Sequence, residues 1–487
     1  MKQFLHKQFW PDWLVIFFLT FLLPFFFYNL GLSSLVSWDE AWYAEIARNI
    51  IKSGSLFNLS WNEMAYYDHP PVGFWLIALG ELIFGYSEFG VRFSSALIGF
   101  LSVITLYFLG KVMFNRVVGV ASALGLASSF WFLYRARSGN LDVFLTFFFV
   151  LTFFMAWKAR HNSKWLVGFG VSFALLILTK TGIPFTILPA LIIVFWGKRF
   201  KLKDLISTFG LLVFLGGVWL VSQILTNSSF FDRYFMIGLP GVGVQTSYVD
   251  NFILAKTYSH DGIGKWFWPG VVGIIMSFVI GVYLFLVKKV DRKWFIFPLF
   301  CLTFFGPFVL SAKGHIWHLI PLHPFMILSF FAASFVIGES ILKIATPFLF
   351  RNKQYLKYSY LVLSLGTICF SIYLSFFQLK SAWIQFIDQT KYISDEQILS
   401  AEAGKIDGKF FIDDDFGPTA VWYSGGKRVG QIRDDDISRL FNKQGQFGNI
   451  DKFTLITKQY RLDDQGIAKE RYQILKLDRD KILVINN

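Results

Sequence analysis

Two adjacent acids, Asp39 and Glu40, open the stretch SWDEAWYAEIARNI. The same stretch, Ser37 to Pro71, continues with Glu45, Glu63, Asp68 and His69 and ends NEMAYYDHPP. Carboxylates of this kind can take a proton from a hydroxyl or amine, or bind a divalent metal. Asp39, Tyr43 and Ala47 recur every four residues, so a helix would align them on one face. A plainer reading exists: acids are favoured at a helix start by free backbone N–H groups and the dipole. It leaves a further acid, Asp142, unexplained at the start of another apolar run. Pro70 holds His69 extended, and Pro71 suits the first turn of a following helix. Asp68 and His69 therefore project from a stiff turn, where a phosphate or metal contact competes with a simple loop-to-helix stop.

Basic groups accompany the acids. Arg135 and Arg137 approach Asp142 in RARSGNLD, Lys180 sits in LLILTKTGIPFTILP, and Lys313 in LSAKGHIWHLIPLHP. Arginines near a span end can merely reach for lipid headgroups, but on the outer side they favour anion binding. His315, His318 and His323 follow Lys313. H-x-x-H resembles a metal pair on a helix, although interfacial histidines are commoner.

The elements that must position these groups are membrane helices. The chain has 487 residues, mean hydropathy +0.51, 20% aromatic content and 55% hydrophobic against 16% charged residues. Such a chain does not need so many ionisable groups in one loop for solubility. Repeated apolar runs of ~20 residues match a hydrocarbon core of ~30 Å, which predicts a polytopic α-helical membrane protein of about 11–13 transmembrane helices. Crossings are expected over 13–29, 91–111, 117–134, 141–158, 164–180, 183–197, 206–225, 266–287, 294–311, 316–338 and 358–377. The run 72–85 reaches only ~21 Å as a helix and is read as lying in the outer interface. That choice puts the basic clusters Lys111–Arg116, Lys158–Lys164, Lys198–Lys203, Lys288–Lys293 and Lys343–Lys357 on one side, as the positive-inside rule requires. The N-terminus is then cytoplasmic, with the first helix uncleaved.

Residues 1–377 form the membrane domain, with a first outer loop and interfacial helices over 30–90. Residues 378–487 change character and predict a small extracytoplasmic α/β domain. Its strand-like runs are 409–414, 428–432, 453–459 and 472–477, with a helix over 434–444. Net charge is +14, but the basic residues spread over membrane loops, which argues against nucleic acid as a partner. Cys301 and Cys369 lie in apolar spans and imply no disulfide framework.

The ordered motifs DEAWYAEIARNI, YYDHPPVGFW, LIFGYSEFGVRFSSAL, NLDVFLTFF, LTKTGIPFTILP and LSAKGHIWHLIPLHP resemble the GT-C integral-membrane glycosyltransferases. The branch is that of the lipid A aminoarabinose transferases and protein O-mannosyltransferases. The resemblance implies a sugar donor carried on a polyprenyl phosphate and an acceptor that is a lipid, a glycan or a protein of the cell envelope. It implies Asp39, Glu40 and Asp142 as catalytic acids, with Asp39 as base or acceptor-orienting group in an inverting displacement. It makes Asp68 similar to a metal ligand, so a divalent metal is an expected cofactor. His69 stands where the aminoarabinose branch has lysine. The donor phosphate is then assigned to His69, Arg137, Lys180 and Lys313, with Tyr43, Arg135 and His318 nearby. The implied location is a bacterial inner or plasma membrane. The alternative is a transporter or flippase of lipid-linked sugars, which would carry ionisable groups in mid-membrane and inverted repeats; neither pattern is visible here.

Overall fold

The computed structural model describes residues 11–230, 234, 248–310, 315–349 and 353–487. Among them, seven helices are long and apolar enough to cross a membrane: Glu88–Met113, Leu141–His161, Leu202–Thr226, Val249–Leu286, Lys293–Leu310, Ile316–Ala345 and Lys357–Ile387. The pair Arg116–Ala127 and Phe130–Ala136 adds an eighth, bent by 67°. Ser128 lies at the bend; its hydroxyl donates to the Gly125 carbonyl and accepts the Trp266 indole N–H, drawing backbone capacity away from the helical ladder.

Every predicted crossing has a helical counterpart, but several are shorter than expected. The first is split into Asp12–Thr20 and Leu23–Phe27, with Pro24 at the start of the second piece. Ser163–Ile177, Ile183–Phe195 and Val72–Phe84 are apolar helices of 10–17 residues. The last has 13 residues, about 20 Å of rise, too short for a straight crossing.

The chain divides into two compact units. The first comprises Met1–Tyr28, Tyr67–Gly73 and Ser95–Gln389. Aromatic rings fill its interior: Phe153, Phe300 and Phe325 meet edge to face, with centroids 4.8–5.3 Å apart. Lipid tails are as apolar as leucine, so close packing must hold such helices together. Gly273 shows the requirement: a Cβ there would collide with the Phe330 backbone.

The second unit comprises Asn29–Tyr66, Phe74–Ser94 and Thr390–Asn487. The first-loop segment thus packs with the C-terminal residues, and the border falls at 389/390 rather than 377/378. Its helix Asp39–Ser53 carries Asp39 and Glu40 in the first turn and Lys52 in the last, complementing the dipole. Gly54 ends it in the left-handed conformation, φ 67°. A hairpin follows, β1 (Ser60–Trp61) against β2 (Met64–Ala65). Its loop residues Asn62 and Glu63 both have positive φ, 53° and 62°, as a tight hairpin turn needs.

A five-stranded sheet completes the unit: β3 (Lys409–Ile412), β4 (Val429–Gln431), β5 (Phe453–Lys458), β6 (Tyr472–Asp478) and β7 (Lys481–Asn486). The order is β4-β3-β5-β7-β6; β3 is parallel to β4 and β5, and β7 is antiparallel to β5 and β6. The predicted strands and the helix Asp434–Phe441 are present; β7, in KILVIN, is additional. Apolar clusters lie on both faces, one with Ile437, Leu440 and Leu455, the other with Leu399, Ile412 and Val421. Each fully buried aliphatic side chain contributes roughly 1.5–3 kcal/mol. At the edge strand β4, the Asn62 carboxamide donates to the Val429 carbonyl at 2.9 Å and accepts its N–H at 2.8 Å.

Candidate functional site

In the first unit the candidate residues gather around Asp142. Asn140 caps the helix Leu141–His161: its carboxamide oxygen accepts the N–H groups of Asp142 and Val143. This fixes the first helical turn and with it the direction of the Asp142 side chain. Asp142 is 2% exposed. Lys180 Nζ lies 2.7 Å from one carboxylate oxygen, and Arg135 Nη2 lies 3.4 Å from the other. Arg135 ends the short helix Phe130–Ala136, and its guanidinium covers the Trp317 ring at 4.9 Å. His315 stacks on the same Trp317 ring at 4.6 Å.

Lys180 stands in a turn that Gly182 closes with φ 71°, a conformation glycine adopts without strain. Two bonds strap the 68–72 segment to this turn. Thr181 donates its hydroxyl to the Asp68 carbonyl at 2.7 Å, and Val72 donates its N–H to the Leu178 carbonyl at 3.0 Å. His69 is thereby held beside Lys180 and Asp142. Burial and the neighbouring ammonium push its pKa down to about 3, so it is a neutral imidazole at any physiological pH. The two cations outnumber the one carboxylate, and desolvated charge of this kind attracts an anion strongly.

Arg137, expected at the donor phosphate, points elsewhere. It donates to the carbonyls of Phe25 and Tyr28 at 3.0 and 2.7 Å, satisfying the C-terminal end of the helix Leu23–Phe27. Lys313 lies outside the described residues. His318 approaches His315, with ring centroids 5.4 Å apart. Asp68, expected as a metal ligand, is half-buried. Among the described residues no group of three or more His, Cys, Asp or Glu could hold a metal ion.

In the second unit the Asp39–Glu40 pair divides its labour. Glu40 receives Arg92 through both oxygens, at 2.7 and 3.0 Å, and also accepts the Val36 N–H at 2.8 Å. The remaining Arg92 donors reach the carbonyls of Leu30, Ser33 and Ser34 at 2.9–3.0 Å. All five guanidinium N–H groups are used. Glu40, expected in the catalytic pair, is committed to fixing the loop that precedes Asp39. Asp39 itself is half-buried at the first turn. Tyr43, expected near the site, is 7% exposed and packs edge to face on Phe74 at 5.4 Å.

A second buried charge group lies one turn on. Arg48 pairs with Glu45 at 2.8 Å, donates to the Trp422 carbonyl at 2.7 Å and covers the rings of Trp422 and Tyr86. Glu81 is 2% exposed and feels the same guanidinium. Burial raises Glu45 to about 7 and Glu81 to about 8. Burial outweighs the nearby charges of Arg48 and Lys52, so near neutral pH the pair retains a proton.

Sequence reasoning missed the roles of Arg92, Asn140 and Arg48. An arginine inside the apolar helix Glu88–Met113 and the Glu45–Arg48 spacing of three were the available signals.

The sequence profile of dolichyl-phosphate-mannose-protein mannosyltransferases matches residues 68–222. An uncharacterised protein of Aquifex aeolicus is 29% identical over 375 residues, covering 74% of this chain and 70% of that one. The undecaprenyl phosphate-alpha-4-amino-4-deoxy-L-arabinose arabinosyl transferase of Pseudomonas savastanoi pv. phaseolicola is 36% identical over 197 residues. That match covers 38% of this chain and 36% of the transferase, so the chain spans about a third of that relative in sequence. The crystal structure of ArnT from Cupriavidus metallidurans bound to undecaprenyl phosphate superposes with a TM-score of 0.69 at 15% identity, covering 98% of this chain and 99% of ArnT. The chain has the multi-pass membrane fold of ArnT, and over part of its length its sequence is similar to the aminoarabinose transferases and the dolichyl-phosphate-mannose-protein mannosyltransferases.

Proposed function

We propose that this GT-C protein transfers a sugar from a polyprenyl-phosphate donor to a cell-envelope acceptor. The observation that carries the reading is the Arg135–Asp142–Lys180 group, a buried site with one positive charge in excess. The ArnT structure holds undecaprenyl phosphate, and a lipid phosphate suits such a site. Lys180 and Arg135 hold the phosphate, and Asp142 keeps both cations oriented. His69 offers a neutral hydrogen bond where Lys180 supplies charge.

The reaction is an inverting displacement. The acceptor oxygen or nitrogen attacks the anomeric carbon, and the bond from that carbon to the phosphate oxygen breaks. The phosphate leaves with the electron pair, and its charge is stabilised by groups already in place. Asp39 accepts the acceptor's proton. Orientation by the positive-inside rule puts the N-terminus in the cytoplasm and the Asp39 loop on the outer face of the membrane.

The test uses purified protein in detergent with an undecaprenyl-phosphate-linked sugar. Wild type releases free undecaprenyl phosphate as the acceptor becomes glycosylated, and Lys180→Ala does not. Transport of intact donor across a vesicle bilayer without release would establish the flippase alternative instead. Asp142 in a first helical turn, Arg135 in a last one and Lys180 in a turn, rather than mid-helix, favour the transferase.

A further inference from the structure

The second unit contains a cavity that the transfer chemistry above does not use. It measures about 620 Å³ and is lined by Trp38, Asp413, Asp414, Asp415, Gln431, Ile432, Arg433 and Arg461. That volume falls within the ~300–1,000 Å³ range of small-molecule sites. Its position follows from the sheet. Strand β3 runs into Asp413, β4 into Ile432 and Arg433, and β5 into the short helix bearing Arg461. The chain leaves β3 for β4 on one side, then returns from β4 to β5 on the other side of β3. The cavity thus lies at the carboxyl ends of parallel strands where the strand order reverses, the place where open α/β sheets bind ligands.

The lining indicates the ligand's chemistry. Asp413 is already taken by Arg461 at 2.5 Å and by the Thr457 hydroxyl at 2.6 Å. Asp415 accepts from the Gln431 carboxamide at 2.8 Å. A simple anion would face Asp414 and Asp415; a cation would face Arg433 and Arg461, and no metal-holding cluster exists among the described residues. Hydroxyl groups, which both donate and accept, satisfy carboxylates, carboxamide and guanidinium together. Trp38 adds an apolar ring 49% exposed, a surface on which the C–H face of a sugar packs. Its backbone is held at φ 66°, ψ −120°, an outlier for a bulky side chain, and the next residue is Asp39.

We propose that this cavity binds a saccharide portion of the acceptor. The saccharide-binding part stands on the cavity alone; the acceptor part rests on the transferase reading and on Trp38 preceding the acid that takes the acceptor's proton.

The experiment is saturation-transfer NMR and calorimetry on full-length protein in detergent. The probes are lactose, chitobiose and maltotriose, with undecaprenyl phosphate binding measured in the same samples. Wild type should bind at least one saccharide saturably, and Gln431→Ala and Arg433→Ala, both at exposed positions, should weaken it at least tenfold at unchanged thermal stability. Absence of saturable saccharide binding, equal binding by both variants, or binding of Mg²⁺ or Ca²⁺ alone would each overturn the proposal. Undecaprenyl phosphate binding that persists in those cases leaves the transferase reading standing; its failure removes that reading separately.

Discussion

Lys180 donates to one carboxylate oxygen of Asp142 at 2.7 Å, and Arg135 meets the other at 3.4 Å. The carboxylate therefore tethers two cations at once. Removing it would free them to collapse onto other partners, and removing either cation would leave a near-neutral pair.

Lys180→Ala should lower donor turnover by about 10²–10³-fold, the scale of losing one preorganised group at a developing negative charge. Lys180→Arg should recover part of it. Single-turnover release of polyprenyl phosphate measures both. Unchanged turnover in Lys180→Ala would remove the phosphate role.

Asp39→Asn should abolish transfer while leaving the fold intact, because the amide keeps the shape but cannot accept the proton. Transfer assays beside thermal unfolding of the same preparation check this. Full activity in the purified variant would sink the assignment.

Arg92→Ala should destabilise by about 3–5 kcal/mol, since breaking a buried pair strands the partner charge of Glu40. Its loss also leaves the carbonyls of Leu30, Ser33 and Ser34 without their donors. Thermal unfolding in detergent should show a lower midpoint, with Arg92→Lys intermediate.

Stability should also depend on pH through Glu45 and Glu81, raised to about 7 and about 8. A carboxyl whose folded pKa lies above its unfolded value binds more protons when folded. Its contribution is full below the unfolded pKa, near 4.5, and is lost as pH rises through the folded value. The scale is roughly 1.4 kcal/mol per pKa unit. Unfolding midpoints should therefore fall between about pH 5 and pH 9. Glu81→Gln should flatten the profile; an equally steep profile in that variant would remove Glu81 as its source.

The helices were readable because long apolar runs can do little else in lipid. Four strands of the C-terminal region were readable as short runs rich in β-branched and aromatic residues; β7 follows β6 after only Arg479 and Asp480, so its run KILVIN is not set apart from the one before it. At the site, Asp142, Lys180, Arg135 and His69 each stood out because each interrupts an apolar or proline-fixed segment, but Asp142 read as a partner of Asp39 and Glu40 rather than of Lys180 and Arg135. The division between Asp39 and Glu40 was not legible. Adjacent acids look alike in sequence, and only Arg92, 52 positions away from Glu40, marks Glu40 as a structural carboxylate. Arg137 misled for a related reason: a carbonyl partner leaves no trace in side-chain pattern.

Asn62 bonds to Val429 from 367 positions away in the chain. An edge strand offers unpaired backbone groups to any neighbouring chain, and here two of them are occupied by a residue synthesised near the start. The first-loop helix likewise meets its partner Trp422 across 374 positions. During synthesis at ~5–20 residues per second, the segment carrying Asp39 must wait tens of seconds for the strands it packs with. Assembly of this unit is therefore a late event in biogenesis, and a ribosome that stops before the last strands leaves a fully inserted but catalytically unfinished protein.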